Sequence, residues 1–171
     1  NFKVMVSLSF LIKLQKVYNS TKMKIAIYSQ HAGKHTSSIL LELFSFVKKY
    51  KIDFFLEKDF DKILAKDSPV KLEYNIFSSY KDLDNSFNLM ITIGGDGTLL
   101  RSVSYVRDLE IPIIGINTGR LGFLATLNQD LLKSKLEKII KGEFKLEKRA
   151  LLNVMIDDEK EKNEFAIALN E

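Results

Sequence analysis

The stretch ITIGGDGTLL, residues 91–100, decides how this chain is read. An apolar run stops at two glycines, an aspartate and a third glycine, and leucines resume after Thr98. The chain has eight glycines in 171 residues and spends three of them around one acid. Glycine leaves room for a ligand to approach the backbone. A strand that ends in glycines and turns into a helix presents amides without intrahelical partners, and those amides together with the helix dipole attract phosphate. The stretch therefore reads as a polyphosphate cradle in which Gly94, Gly95 and Thr98 are candidate phosphate or loop positions. It is neither of the two common phosphate loops: it has no Walker lysine at the required spacing and no G-x-G-x-x-G.

Asp96 sits inside that cradle. An acid there repels an anionic ligand unless it has a task. The helix terminus is expected to keep it ionised. An ionised carboxylate can take a proton from an attacking hydroxyl, and because phosphoryl transfer passes through a loose transition state, positioning and modest base help suffice. It can also hold two hydroxyls of a ribose. The alternative is a tight turn in which Asp96 only caps its helix.

Outward from this stretch the pattern alternates. KIAIY (24–28) is a short apolar run, followed by the turn-like SQHAGKHTSS. Ile39, Leu43, Phe46, Val47 and Tyr50 recur at helical spacing and predict a mostly buried helix. IDFFL (52–56) reads as a strand, a short helix extends to about Asp67, Ser68-Pro69 punctuates, and LEYNIF (72–77) is strand-like. NLMITI (88–93) is the strand that feeds the glycines; a helix is predicted from about Thr98 to Arg107, then a strand at PIIGI (112–116). Leu132, Leu136, Ile139 and Ile140 mark an amphipathic helix over 129–141, closed by Gly142. Apolar runs alternating with helices predict an α/β fold, a parallel Rossmann-like sheet covered on both faces. Ligands of such sheets bind beyond the carboxyl ends of the strands. Both GGDGT and GINTGRLG (115–122) lie at such ends.

After Gly142 the character changes. EFKLEKRALLNVMID (143–157), a charged turn DEKEKN (158–163) and EFAIALNE (164–171) read as a β-hairpin. The expected organisation is an α/β nucleotide-binding domain over 23–142 and the start of an incomplete β-rich domain over 143–171. Residues 1–22 are read as a non-native leader or a tail: the apolar run VMVSLSFLI (4–12) is too short for a bilayer, which needs about 20 residues, and no small-residue cleavage site follows it.

The composition narrows the chemistry. No cysteine means no disulfide and no thiolate metal site, which fits a reducing compartment. With only His31 and His35 as histidines, a protein zinc site is not expected. A net charge of +4 spread along the chain, and six tyrosines in no stacking pattern, do not argue for nucleic acid. The four arginines, Arg101, Arg107, Arg120 and Arg149, all follow the glycine stretch, and only arginine offers a planar fork to phosphate or carboxylate. For Arg107 the default is chance in a lysine-biased chain.

IGGDGTLLR (93–101) resembles the signature of the NAD kinase family. Lipid kinases of the diacylglycerol and sphingosine type share GGDGT, and 6-phosphofructokinases carry a near relative. PIIGINTGRLGFLAT (112–126) is similar to the second NAD kinase motif, at a place where the lipid kinases carry a GTGND-like segment. ALNE (168–171) resembles the third, at the expected distance. The likeness runs from about Met23 to Glu171, and members of the family continue past this point. It implies ATP-dependent phosphorylation of the 2′-hydroxyl of the adenosine ribose of NAD, giving NADP. It implies that Asp96 is the base on that hydroxyl and that Asp96 and Gly97 touch NAD. Arg101 matches a basic binding position and falls in the first turn of the predicted helix. Asn170 and Glu171 match a pair that contacts the ribose and amide groups of NAD. Phe123 matches a position near the adenine, with a core phenylalanine as an equal alternative. Gly115, Gly119 and Gly122 are expected to shape their loop, and Arg120 to meet phosphate or to pair with an acid.

NAD is thus an expected substrate, and magnesium or another divalent cation is expected to arrive with ATP, held by phosphates and water. The implied enzyme is cytoplasmic and a homodimer or homotetramer at full length, with neither membrane nor nucleic acid as partner. These 171 residues alone are expected to be inactive or poorly folded. Two other readings stand beside it. A lipid kinase would want an apolar cleft and the GTGND-like segment. A nucleotide-sensing module without turnover would keep the cradle but gain little from Asp96.

Overall fold

The structure is a computed structural model that describes residues 3–4, 22–67, 73–120, 122–149, 151–153 and 167–169. Its strands are β1 (Lys3–Val4), β2 (Lys24–Tyr28), β3 (Asp53–Glu57), β4 (Asn75–Phe77), β5 (Leu89–Ile93), β6 (Ile113–Ile116), β7 (Lys145–Leu146), β8 (Leu151–Asn153) and β9 (Ile167–Leu169). Its α-helices are α1 (Lys34–Tyr50), α2 (Lys58–Asp67), α3 (Asp96–Val106) and α4 (Leu132–Ile140). Short 3-10 turns lie at Tyr80–Asp82 and Gln129–Leu131.

Five strands form one parallel sheet in the order β4-β3-β2-β5-β6. Ile25 lies opposite Phe54 on one side and Leu89 on the other, and Ile93 lies opposite Ile116. The chain steps outward from β2 through β3 to β4, returns to place β5 beside β2, and steps outward again to β6. The order reverses between β2 and β5, so the crevice beyond their carboxyl ends is the place where such sheets take ligands.

The faces separate by the two-residue period of a strand. Ile25 and Ile27, Phe54 and Leu56, and Leu89, Ile91 and Ile93 pack with α1, α2 and α4. Ala26, Tyr28, Met90 and Ile113 pack with Leu99, Val103 and Val106 of α3 and with Leu83 and Phe87 of the β4–β5 crossover. A strand buried on both faces needs a continuous apolar run, which is why β5 reads LMITI. Its one polar residue, Thr92, is fully buried, and its hydroxyl donates to the Ile114 carbonyl at 3.4 Å. Each fully buried isoleucine or leucine of this kind contributes roughly 1.5–3 kcal/mol.

Four local expectations change. Helix α3 begins at Asp96 rather than Thr98, so Asp96 and Gly97 are helical and Arg101 falls in the second turn. The helix expected over 129–141 opens as a 3-10 turn before α4. Tyr50 ends α1 at 37% exposure and is outside the core. Of the strand expected at 72–77, the described residues 73–77 are extended strand only over Asn75–Phe77.

Beyond α4, β8 and β9 pair antiparallel, Leu151 with Leu169 and Asn153 with Ile167, as a hairpin requires. Strand β7 pairs instead with β1, in parallel, Lys3 opposite Lys145. Of the leader, only Lys3, Val4 and Lys22 are among the described residues, and most of the apolar run 4–12 lies outside them. No helix among the described residues is long and apolar enough to cross a membrane.

Candidate active site

The crevice at the strand-order reversal is built from the turns after β2, β5 and β6. The turn after β5 is the glycine stretch. Gly94 has φ +151°, and a Cβ there would lie 2.9 Å from Thr98 Cβ. Its amide donates to the Ile116 carbonyl at 2.9 Å, which ties the turn to β6. Gly95 is the N-cap of α3 and offers no capping side chain. Gly95 and Gly97 are exposed, and nothing lies within 4 Å of a Cβ built at either. Their open side faces the N-terminal end of α3, where amides lack intrahelical partners and the dipole is positive.

Thr98 turns the other way. It is 6% exposed, fills the space left by the absent Gly94 side chain, and donates to Gln30 Oε1 at 3.3 Å. Ser29 makes a second tie between the turns. Its hydroxyl, 3% exposed, donates to the Ile93 carbonyl at 2.6 Å, joining the carboxyl ends of β2 and β5.

Asp96 does not cap its own helix. Its carboxylate reaches the turn after β6 and accepts three successive amides. Phe123 donates to Oδ2 at 2.8 Å, and Leu124 and Ala125 donate to Oδ1 at 3.1 and 2.8 Å. Burial works to raise its pKa, but the amides of Ala125, Phe123 and Leu124 outweigh it and hold the carboxyl below its ordinary value. Asp96 is therefore ionised at neutral pH. Oδ1 has both lone pairs engaged, whereas Oδ2 has one amide and keeps one lone pair for a further donor.

The turn after β6 is stiffened by its own contacts. Asn117, 7% exposed, accepts the Gly119 amide on Oδ1 at 2.8 Å and donates from Nδ2 to the Ala125 carbonyl at 3.3 Å. A Cβ at Gly115 would meet Ala125 Cα at 2.8 Å and Leu99 Cδ1 at 2.9 Å. A Cβ at Gly122 would lie 2.5 Å from Asp96 Cγ. Phe123, held next to Asp96 by its amide, carries a ring 84% exposed, so it is no core residue.

Other candidates separate from this group. Arg101 and Arg120 are exposed. Burial and the Glu57 charge raise the Tyr28 phenol, and the positive charge of Arg101 partly offsets them. Arg107 stacks on the Tyr80 ring at 3.5 Å, and Arg149 pairs with Glu147 at 2.6 Å. Asn170 and Glu171 lie outside the described residues. His31 and His35 are exposed, and among the described residues no three histidine or acid side chains come together as metal ligands.

Sequence reasoning missed three residues here. Ser29 carried no motif. Asn117 had a signal, an Asn two residues before a glycine, the pattern of a side chain that closes an Asx turn. Glu57, 2% exposed, ends the strand beside β2, where dinucleotide folds place a ribose-binding acid. Here its Oε2 instead accepts the amides of Asp59 and Phe60 at 3.0 and 2.9 Å, at the start of α2.

The chain is similar to proteins named NAD kinase. That of Christiangramia forsetii is 40% identical over 150 residues, 87% of this chain and 51% of its own. That of Flavobacterium psychrophilum is 42% identical over 132 residues, 77% of this chain and 45% of its own. The chain thus spans about half the length of these curated relatives. Among solved structures, yeast NADH kinase complexed with NADH matches with a TM-score of 0.67, over 88% of this chain and 47% of that one. At 19% sequence identity this likeness shows the fold. The family model described as the ATP-NAD kinase N-terminal domain matches residues 25–144, which include both glycine turns and Asp96, and the chain belongs to that family.

Proposed function

We propose that this chain is the nucleotide-binding part of an enzyme that transfers the γ-phosphoryl group of ATP to the 2′-hydroxyl of the adenosine ribose of NAD, giving NADP. The observation that carries the reading is Asp96. In a chain of the NAD kinase family, an ionised carboxylate stands at the strand-order reversal with one lone pair of Oδ2 open, beside the bare backbone of Gly95 and Gly97.

The geometry supports the following division of tasks. The end of α3 receives phosphate at Gly95 and Gly97, with Arg101 one turn further on as the basic binding residue. Asp96 Oδ2 accepts a hydrogen bond from the 2′-hydroxyl and orients its oxygen toward the phosphorus. A carboxyl held below its ordinary value is a weak base, so the proton moves late, once bonding to phosphorus has acidified the hydroxyl. The exposed Phe123 ring offers the adenine a stacking face. Magnesium comes with the triphosphate: the Asp96 oxygens are taken up largely by amides, which suits a cation held by phosphate and water. On the same reading residues 143–171 open a β-rich domain whose Asn170 and Glu171 contact NAD, and the complete enzyme is a cytoplasmic homodimer or homotetramer. The antiparallel pairing of β8 with β9 supports that domain assignment.

The test is to incubate the full-length protein with NAD, ATP and magnesium and to read NADP with an NADP-specific dehydrogenase. NADP should form, and Asp96→Asn should lower turnover by about 10³-fold while NAD still binds. A folded protein that yields no NADP would overturn the reading. Retention of a large fraction of the rate by Asp96→Asn would remove Asp96 from the reacting centre.

A further inference from the structure

The turn after β6 holds a residue whose importance is invisible in its own chemistry. Gly122 precedes the three amides that close on Asp96, and the space a Cβ would occupy there is filled by the Asp96 carboxylate, with Cγ 2.5 Å away. What such a Cβ would meet is the end of a side chain, not backbone. Adding a methyl group at Gly122 would therefore displace the carboxylate and leave the strands where they are.

We propose that Gly122 is a positioning residue of the reaction: its bare backbone lets the amides of Phe123, Leu124 and Ala125 close on Asp96, so that one clasp aims Oδ2 at the incoming hydroxyl and sets Phe123 at the mouth of the crevice. This rests on the function proposed above for Asp96. The clasp adds to the Gly94 amide's bond to the Ile116 carbonyl as a direct tie between the β5 turn and the β6 side. Two amides immobilise Oδ1 and one orients Oδ2, which fixes the plane of the carboxylate. Among the described residues, burial and these amides are the influences on the carboxyl's acidity, and no charged side chain is among them. Opening the clasp must therefore move its titration upward.

The experiment compares Gly122→Ala with the parent in the full-length protein by three readings. With ¹³C-labelled aspartate, the Asp96 carboxyl should titrate below the ordinary value of about 3.9 in the parent and return toward it in the variant. A glycine needed only for the shape of its turn would not move that titration. Hydrogen exchange should show the amides of residues 123–125 protected in the parent and faster in the variant. Turnover should fall roughly 10- to 100-fold, with a smaller rise in KM for NAD and little change in Tm. A folded variant with unchanged Asp96 titration and unchanged kcat would overturn the proposal. Should Gly122→Ala not fold, the exchange readings decide. Protection in the parent that is lost in Asp96→Asn sustains the clasp, and absence of protection in the parent overturns it. Titration and exchange need no turnover, so a parent that makes no NADP sinks the functional reading and leaves the clasp to be judged by itself.

Discussion

Two glycine turns meet at Asp96, one after β5 and one after β6, and a methyl group added in each would meet different things. At Gly95 and Gly97 it would meet nothing within 4 Å. At Gly115 it would meet the backbone of Ala125, and at Gly122 the Asp96 carboxylate. Gly95 and Gly97 are bare toward the crevice, where a ligand can take the space. Gly115 and Gly122 are bare because the protein already fills it, as Thr98 fills the space at Gly94. Identical residue types thus serve two ends, access at the first pair and close packing at the others. Asp96 links them, since it is in the first turn of α3 and bonded to the second loop. Substitutions that cost folding and substitutions that cost only binding should therefore divide along this line.

Gly115→Ala should cost the fold most. Gly115 lies in β6, and Leu127 donates to its carbonyl at 3.3 Å as the returning segment crosses it. Its new methyl would overlap Ala125 Cα and Leu99 Cδ1, and Ala125 is fully buried with no room to retreat. Overpacking of this kind costs typically about 1–3 kcal/mol. Chemical denaturation should show a lower midpoint at an unchanged slope. A midpoint within error of the parent would mean that the two turns are less tightly joined than the contacts require.

Ser29→Ala should have a smaller effect and test the other edge of the crevice. It deletes the buried bond to the Ile93 carbonyl that ties β2 to β5. The expected loss is about 1–2 kcal/mol, read as a lower denaturation midpoint. An unchanged midpoint would show that the sheet register alone holds the reversal point together.

Much of this frame could be read from the chain, and the limits have a physical pattern. The parallel sheet follows from apolar runs such as LMITI, because burial on both faces demands continuous apolar sequence. The placement of GGDGT at a strand's carboxyl end follows from the same run. What local sequence could not carry was the partner of each polar side chain. Asp96 meets amides 27 to 29 residues away, Ser29 meets a carbonyl 64 residues away, and Thr98 meets a side chain 68 residues away. An Asp at the start of a helix suggests a cap, and only the fold shows that it reaches across to β6's loop instead. The reach also explains why α3 starts two residues early: with Asp96 engaged elsewhere, Gly95 takes the N-cap position without a capping side chain. Phe123 was equally legible as core or as contact, because a ring's exposure depends on which way its loop is pulled, and the clasp on Asp96 sets that.

Gly97→Ala should have the smallest effect on the fold and is the sharpest probe of the division between the turns. Gly97 is the second residue of α3, its added methyl has open space, and alanine is the better helix former. Stability should therefore rise by up to about 0.5–1 kcal/mol, as it does when an unstrained helical glycine is replaced. The same methyl would project into the space through which a ligand approaches the α3 amides, so KM for the nucleotide substrates should rise as Tm rises. A variant gaining stability while losing affinity would show that Gly97 is kept bare for the ligand, at some expense to the helix. A gain in Tm with unchanged KM would place the phosphates elsewhere in the crevice. The Gly95–Gly97 edge would then be a turn like the one after β6, and the contrast between the two turns would not survive.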